Sequence, residues 1–153
     1  MDKLIVALAT GLYSGKIPFA PGTWGSAFAL IPWYFCRGLS LANYLIVMVV
    51  LFVVGFLTAG SAEKILDRPD PGAIVIDEIM GMFVTLTLAP NHPVAWLLGF
   101  ILFRIFDVLK PFPVSWLDTH LHGGIGIMMD DVMAGIYALV CLQLIWLVVG
   151  KFF

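Results

Sequence analysis

The sequence is short of the residues that keep a protein in water. Only 12% of its side chains are charged against 61% hydrophobic, where a soluble domain is nearer a quarter charged and half apolar. Mean hydropathy is +1.04, and 153 residues leave room for one domain, 1–153. One core of that size cannot hide so much apolar surface, so the chain is built for a lipid solvent. Net charge is only -2, without the basic excess that nucleic acid or a polybasic membrane-surface protein requires. Two cysteines occur, Cys36 and Cys141, each in an apolar stretch with neither a CxxC partner nor a neighbouring His. They read as packing residues rather than metal or redox groups.

Missing motifs narrow the chemistry further. Gly11-Leu12-Tyr13-Ser14-Gly15-Lys16 is one residue short of a P-loop and runs on into Ile17, so nucleotide binding is unsupported. Neither cysteine has an Arg six residues on, and there is no Gly-x-Ser-x-Gly elbow. A covalent thiol or serine mechanism is therefore disfavoured. The apolar run at 4–9 is shorter than a secretory h-region. It is expected to stay in the protein as a short interfacial or buried helix.

What is present is a series of apolar segments. Residues 41–60 carry no charge over twenty positions, the length a bilayer core needs. Residues 132–150 are interrupted only by Gln143. Three weaker spans are 23–35, 73–89 with Asp77 and Glu78 near its start, and 94–109 with Arg104 and Asp107 near its end. Breakers bound them: Pro18, Pro21 and Gly22; Pro69 and Pro71; Pro90-Asn91-His92-Pro93; Pro111 and Pro113. The expected fold is all-α, a polytopic membrane bundle of about five transmembrane helices. With the N-terminus inside, Lys3, Lys16, Lys64, Arg68 and Lys110 lie in the cytoplasm and only Arg37 and Lys151 outside, as the positive-inside rule favours. The polar groups then face the cytoplasm together.

Ionisable residues inside a membrane cost roughly 2.5–3.5 kcal/mol each on insertion scales and usually mark function. Arg104, Asp107 and Lys110 recur every three residues, about 60° apart around a helix, and share one broad face. An internal ion pair would explain one cation; two cations against one anion leave a surplus suited to phosphate. Asp77-Glu78 and Asp130-Asp131 each open a predicted helix. A cap needs one carboxylate, and doubling the charge beside lipid calls for a cation. Gly81 lies four residues after Asp77, Ala134 four after Asp130 and Gly135 four after Asp131. Small residues at that spacing let helices close together, so the two acidic corners are expected to meet and hold Mg²⁺ by hard oxygen ligands.

Pro21-Gly22-Thr23-Trp24-Gly25-Ser26 opens a span and offers backbone N–H groups to a phosphate; Thr23 suits an N-cap equally well. Gly123-Gly124-Ile125-Gly126 suits a flexible connection into Asp130-Asp131. His120, His122 and Asp118 suit solvated surface positions, and the five tryptophans suit interface anchors or packing.

Four blocks taken together resemble the phosphatidylglycerophosphatase A family: residues 21–26 (PGTWGS), 77–81 (DEIMG), 103–113 (FRIFDVLKPFP) and 123–135 (GGIGIMMDDVMAG), in the family's order. The resemblance implies a Mg²⁺-dependent, all-helical enzyme that removes the terminal phosphate of phosphatidylglycerophosphate to leave phosphatidylglycerol, at the cytoplasmic leaflet of a bacterial inner membrane. On that basis Asp77, Glu78, Asp130 and Asp131 hold one or two metal ions. Arg104 and Lys110 clamp the phosphate, helped by Thr23 and Ser26. Asp107 orients a cation or acts as general base, and Asp77, Asp107 and Asp131 carry the catalysis. An aspartyl-phosphate intermediate is the alternative to a hydrolytic water. Two rival classes are a small transporter, against which no polar stripe crosses any span, and a CDP-alcohol phosphotransferase, whose Asp-Gly-x2-Ala-Arg opening is missing.

Overall fold

A computed structural model describes residues 1–67 and 72–152. Arg68 and the breaks expected at Pro69 and Pro71 lie outside the described residues. Among the described residues every regular element is helical: α1 (Asp2–Ala9), α2 (Pro21–Cys36), α3 (Leu41–Ile65), α4 (Ile76–Thr85), α5 (Pro93–Leu109), α6 (Val114–His120) and α7 (Gly123–Val149), with single 3-10 turns at Ser14–Lys16 and Gly150–Phe152. The starts follow local chemistry. Pro21 and Pro93 sit in first turns, where a missing N–H costs nothing. The hydroxyl of Ser40 caps α3 by accepting from the Asn43 amide.

Two helices are long and apolar enough to cross a membrane, Leu41–Ile65 and the stretch Gly123–Phe152. In each, only 22% of the most apolar window is buried inside the protein. Apolar surface turned outward on that scale would be untenable in water and is what lipid requires, so this is a membrane protein by its own surface. α2 and α5, with 16 and 17 residues, are about 24–26 Å long and run antiparallel: Ser26 meets Arg104 near one end, and Trp33 meets Trp96 near the other.

The 73–89 span expected from sequence is helical only over ten residues, Ile76–Thr85, or about 15 Å. The reason is its position. α4 is the centre of the bundle, with eight of its ten residues buried, among them Ile79, Met82 and Phe83, and its non-helical flanks are satisfied by protein. The Val75 amide donates to the Ala9 carbonyl at 2.9 Å, tying α4's start to α1. At the other end Gln143 Nε2 donates to the carbonyls of Thr87 and Leu88 at 3.3 and 3.1 Å. Irregular backbone at membrane depth is tolerated only when protein covers it in this way.

α4 packs most closely on α7, and two glycines explain how. A Cβ on Gly135 would stand 2.6 Å from the Gly81 carbonyl oxygen, and one on Gly81 would stand 2.9 Å from the Asp131 carbonyl oxygen. In lipid no hydrophobic drive separates helix from tail, so such close backbone packing is the main adhesive. Thr85 adds a hydroxyl that donates to the Gly81 carbonyl at 2.8 Å.

Candidate active site

The Gly81–Gly135 contact carries Asp77 and Glu78, one turn before Gly81 on α4, up against Asp131, one turn before Gly135 on α7. Oxygen atoms of Asp77, Glu78 and Asp131 lie within 4.8 Å of one another. Each contributes a buried oxygen with no hydrogen-bond partner: Asp77 Oδ1, Glu78 Oε2 and Asp131 Oδ2. Buried charge is tolerated only when paired or ligated, and three unpartnered carboxylate oxygens converging in one spot could hold a hard divalent cation.

The helix-cap alternative divides between the two pairs. Asp77 and Glu78 do occupy the first turn of α4, where the helix dipole favours them. Asp130 and Asp131 do not: α7 begins at Gly123, nine residues before the expected 132. The Gly123–Gly126 segment is thus the first turn of a helix and not a flexible connection. Asp131, 3% exposed, has no terminal dipole to stabilise it.

Asp130 stands apart from the trio that the sequence suggested it would join. Its Oδ2 accepts from Lys110 Nζ at 2.9 Å, and the same Nζ donates to Asp118 at 2.5 Å. Burial lowers the affinity of Lys110 for its proton, but the hydrogen bonds and charges of Asp118 and Asp130 outweigh that and hold its pKa above the ordinary lysine value. Lys110, expected to clamp phosphate, therefore spends two of its three donors on carboxylates. Asp118, expected to be merely solvated, is half of that arrangement. Lys110 itself adopts a left-handed backbone, φ 43°, which ends α5 and turns the chain towards α6.

Arg104 is the cation beside the trio. Its Nη1 lies 2.5 Å from Asp107 Oδ2 and donates to Ser26 Oγ at 3.3 Å; the Ser26 hydroxyl in turn donates to the Gly22 carbonyl at 2.7 Å. Gly22 is the thin wall between this arginine and the trio. A Cβ there would sit 3.1 and 3.3 Å from the two terminal guanidinium nitrogens and collide with Glu78 Oε1. The glycine-rich opening thus works chiefly by being small. The amides of Thr23 and Trp24 are already spent on the Ala20 carbonyl, and Thr23 instead lines a groove with Arg104. His122 lines a separate hollow with Glu63, Asp118 and Asp130, while His120 stacks on Trp116.

In this all-helical membrane protein, three converging carboxylates beside a tethered guanidinium form a donor set that could hold a divalent cation next to a phosphoryl group. The family profile for Phosphatidylglycerophosphatase A matches residues 7–146. The chain belongs to the phosphatidylglycerophosphatase A family. It is 40% identical to the phosphatidylglycerophosphatase A of Escherichia coli K12 over 84% of this chain and 76% of that one. With the Haemophilus influenzae protein of the same name it shares 41% identity, over 87% and 83%. A Bacteroides thetaiotaomicron protein provisionally named as a phosphatidylinositol-3-phosphatase is 36% identical over 96% of both chains. No solved structure matches the chain.

Proposed function

We propose that the chain hydrolyses the terminal phosphate of phosphatidylglycerophosphate, releasing inorganic phosphate and leaving phosphatidylglycerol, with Mg²⁺ as its cofactor. The observation that carries this is the trio of buried carboxylates, each with an unpartnered oxygen, beside a guanidinium fixed by Asp107 and Ser26. An acidic trio alone would suit many cation sites. A planar arginine fork next to it adds recognition of a phosphoryl group. The family and the names of its Escherichia coli and Haemophilus influenzae members supply the lipid.

Asp77, Glu78 and Asp131 are the residues that would hold Mg²⁺. When bound, such an ion polarises phosphoryl oxygens and lowers the pKa of a coordinated water. Arg104 binds the phosphoryl oxygens with the N–H groups not spent on Asp107 and Ser26, and those two partners fix the direction of its fork. Asp107 acts here as the orienting group. Lys110 holds Asp130 beside Asp131 and leaves direct phosphate contact to Arg104. Phe103, fully buried, packs its ring on Gly81 and keeps water out from below.

The proposal includes a bacterial inner-membrane location, five crossings, and the acidic end in the cytoplasm. Lys3, Lys16, Lys64 and Lys110 support that orientation against Arg37 and Lys151 at the opposite side. The last turn of the short α4 reaches the level at which α3 begins: Tyr44, near the start of α3, donates to the Phe83 carbonyl at 2.6 Å.

Purified protein given dioleoyl phosphatidylglycerophosphate should release inorganic phosphate with Mg²⁺ and lose that activity in EDTA. Absence of phosphate release sinks the reaction, and full activity in EDTA sinks the metal. A phosphatidylinositol 3-phosphate arm tests the substrate that one relative's name raises. For topology, cysteines at Lys16, Lys64 and Ser115 in a chain lacking Cys36 and Cys141 should react only from the cytoplasmic side; labelling from outside overturns the orientation.

A further inference from the structure

An open groove of about 470 Å³ runs along the outward face of α5 beside the start of α2, with Thr23, Ile101, Arg104, Ile105 and Val108 in its wall. Its volume falls within the roughly 300–1,000 Å³ of small-molecule sites. Two other apolar grooves of comparable size mark the described residues. One of about 330 Å³ has Leu30, Tyr34 and Trp96 in its wall; the other, of about 370 Å³, has Ile46, Val50 and Phe83. Neither holds a charged side chain. The α5 groove differs because Arg104 belongs both to it and to the acidic site.

The route between the two is short. Arg104 lines the groove, and Gly22 separates its guanidinium from Glu78 by less than a side chain. Any residue larger than glycine at position 22 would close that wall. Ile101 lies three residues before Arg104 on α5, about one turn away on the side opposite Lys110. Ile101 and Ile105 are 43% and 44% exposed, facing lipid. The apolar wall therefore descends from the arginine towards the middle of the bundle. A molecule that is anionic at one end and apolar along its length matches that sequence of surfaces; a partner helix would have no use for the arginine.

We infer that this groove seats the acyl part of the lipid phosphate, which reaches the carboxylate trio sideways from the bilayer past Arg104 and Gly22. The inference rests on the phosphatase proposal above and adds the path and the chain-length preference of its substrate. Ile105 and Ile101 hold the tail, and Arg104 takes the terminal phosphate at the groove's head, where the missing side chain of Gly22 leaves it beside the trio.

The test is Ile101→Trp, which fills the groove one turn from the arginine without touching the trio, beside Leu144→Trp on the lipid-exposed face of α7. Two probes are used, dioleoyl and dihexanoyl phosphatidylglycerophosphate, and two readouts: phosphate release, and retention of the intact lipid by the detergent-purified protein in native mass spectrometry. Filling a fitted apolar site discriminates by roughly 10–200-fold. Ile101→Trp should therefore lower kcat/KM and retention for the dioleoyl lipid at least tenfold, with the dihexanoyl lipid changed less than twofold and Leu144→Trp like wild type on both. Equal losses on the two lipids, or no loss on either, overturn the groove. Dioleoyl retention that falls only in Ile101→Trp, in a protein releasing no phosphate at all, would uphold the groove while removing the phosphatase.

Discussion

Arg104 and Arg37 stand at opposite ends of the same antiparallel pair, α2 and α5, and the protein treats them in opposite ways. Arg104 is held by a carboxylate and a hydroxyl, Asp107 and Ser26, next to three carboxylates with unspent oxygens. Arg37 lies over aromatic rings, 3.6 Å from the centroid of Tyr34 and 5.0 Å from that of Trp96, with Trp33 set edge-on against Trp96. One guanidinium is aimed and left with donors to spare beside anionic groups. The other is packed as a flat plate. A cation over rings at the edge of a membrane protein anchors it in the interface; a cation in a carboxylate network can exchange partners with a substrate. The comparison teaches that an intramembrane charge signals chemistry through its neighbours rather than through its presence.

The largest effect should come from breaking the acidic end at its least replaceable member. Asp131 has neither a helix terminus nor a cation partner to account for its burial, and the proposed Mg²⁺ would supply that partner. Asp131→Asn keeps the shape and removes the charge. Phosphate release should fall to background, and Mg²⁺ binding measured by calorimetry should be lost, while the thermal midpoint without metal holds or rises because a buried charge has gone. Wild-type turnover in this variant would reduce Asp131 to packing and erase the difference between the two ends.

A smaller effect sharpens the role of the guanidinium. Arg104→Lys keeps the charge but loses the fork that reaches Asp107, Ser26 and a phosphoryl group at once. Turnover should drop by roughly 10²–10³, the scale seen when one preorganised donor is removed, with Mg²⁺ affinity little changed because the arginine is not a ligand. If Arg104 serves only as an ion-pair partner, Arg104→Lys stays active and Asp107→Asn is the variant that unfolds. Turnover and melting temperature on both variants separate these outcomes.

Much of this end was legible in the sequence, for a physical reason. Glycine four residues after an intramembrane aspartate has few uses besides close helix approach, so Gly81 and Gly135 announced that α4 and α7 would meet and which carboxylates they would carry. The three-residue spacing of Arg104 and Asp107 likewise fixed their pairing on one face. What stayed hidden depends on where the chain turns. Asp118 could be matched to Lys110 only once the left-handed Lys110 backbone sent α6 back across the site, where the same ammonium also holds Asp130. The extra turns of α7 were masked by three glycines that look like a loop but lie on a helix packed against α3, where a Cβ on Gly60 would stand 3.1 Å from the Gly124 amide. Gln143 read as a blemish in a span, yet it holds the two carbonyls that α4 leaves behind when it stops short.

The smallest effect is expected at the aromatic end, and it is the one most able to break the comparison. Arg37→Met replaces a cation by a flexible apolar chain of similar reach that still fills the space against Tyr34 and Trp96. The two ring contacts are each worth about 0.5–1 kcal/mol at partly exposed positions, and for a chain of this size one kcal/mol corresponds to about 2–4 °C in melting temperature. A fall of a few degrees is expected, with kcat and KM for phosphatidylglycerophosphate within twofold of wild type. The Trp33 indole N–H and Arg37 Nη1 are both buried without a partner, around a small cavity of about 60 Å³ bordered by Leu86 and Ala89. Removing one donor there also relieves an unmet hydrogen bond, which offsets part of the lost ring contact. A loss of turnover at unchanged melting temperature would mean that the aromatic end is coupled to the chemistry through α2 and α5. Arg37 would then belong with Arg104, and the division of the bundle into a reacting end and an anchoring end would fail.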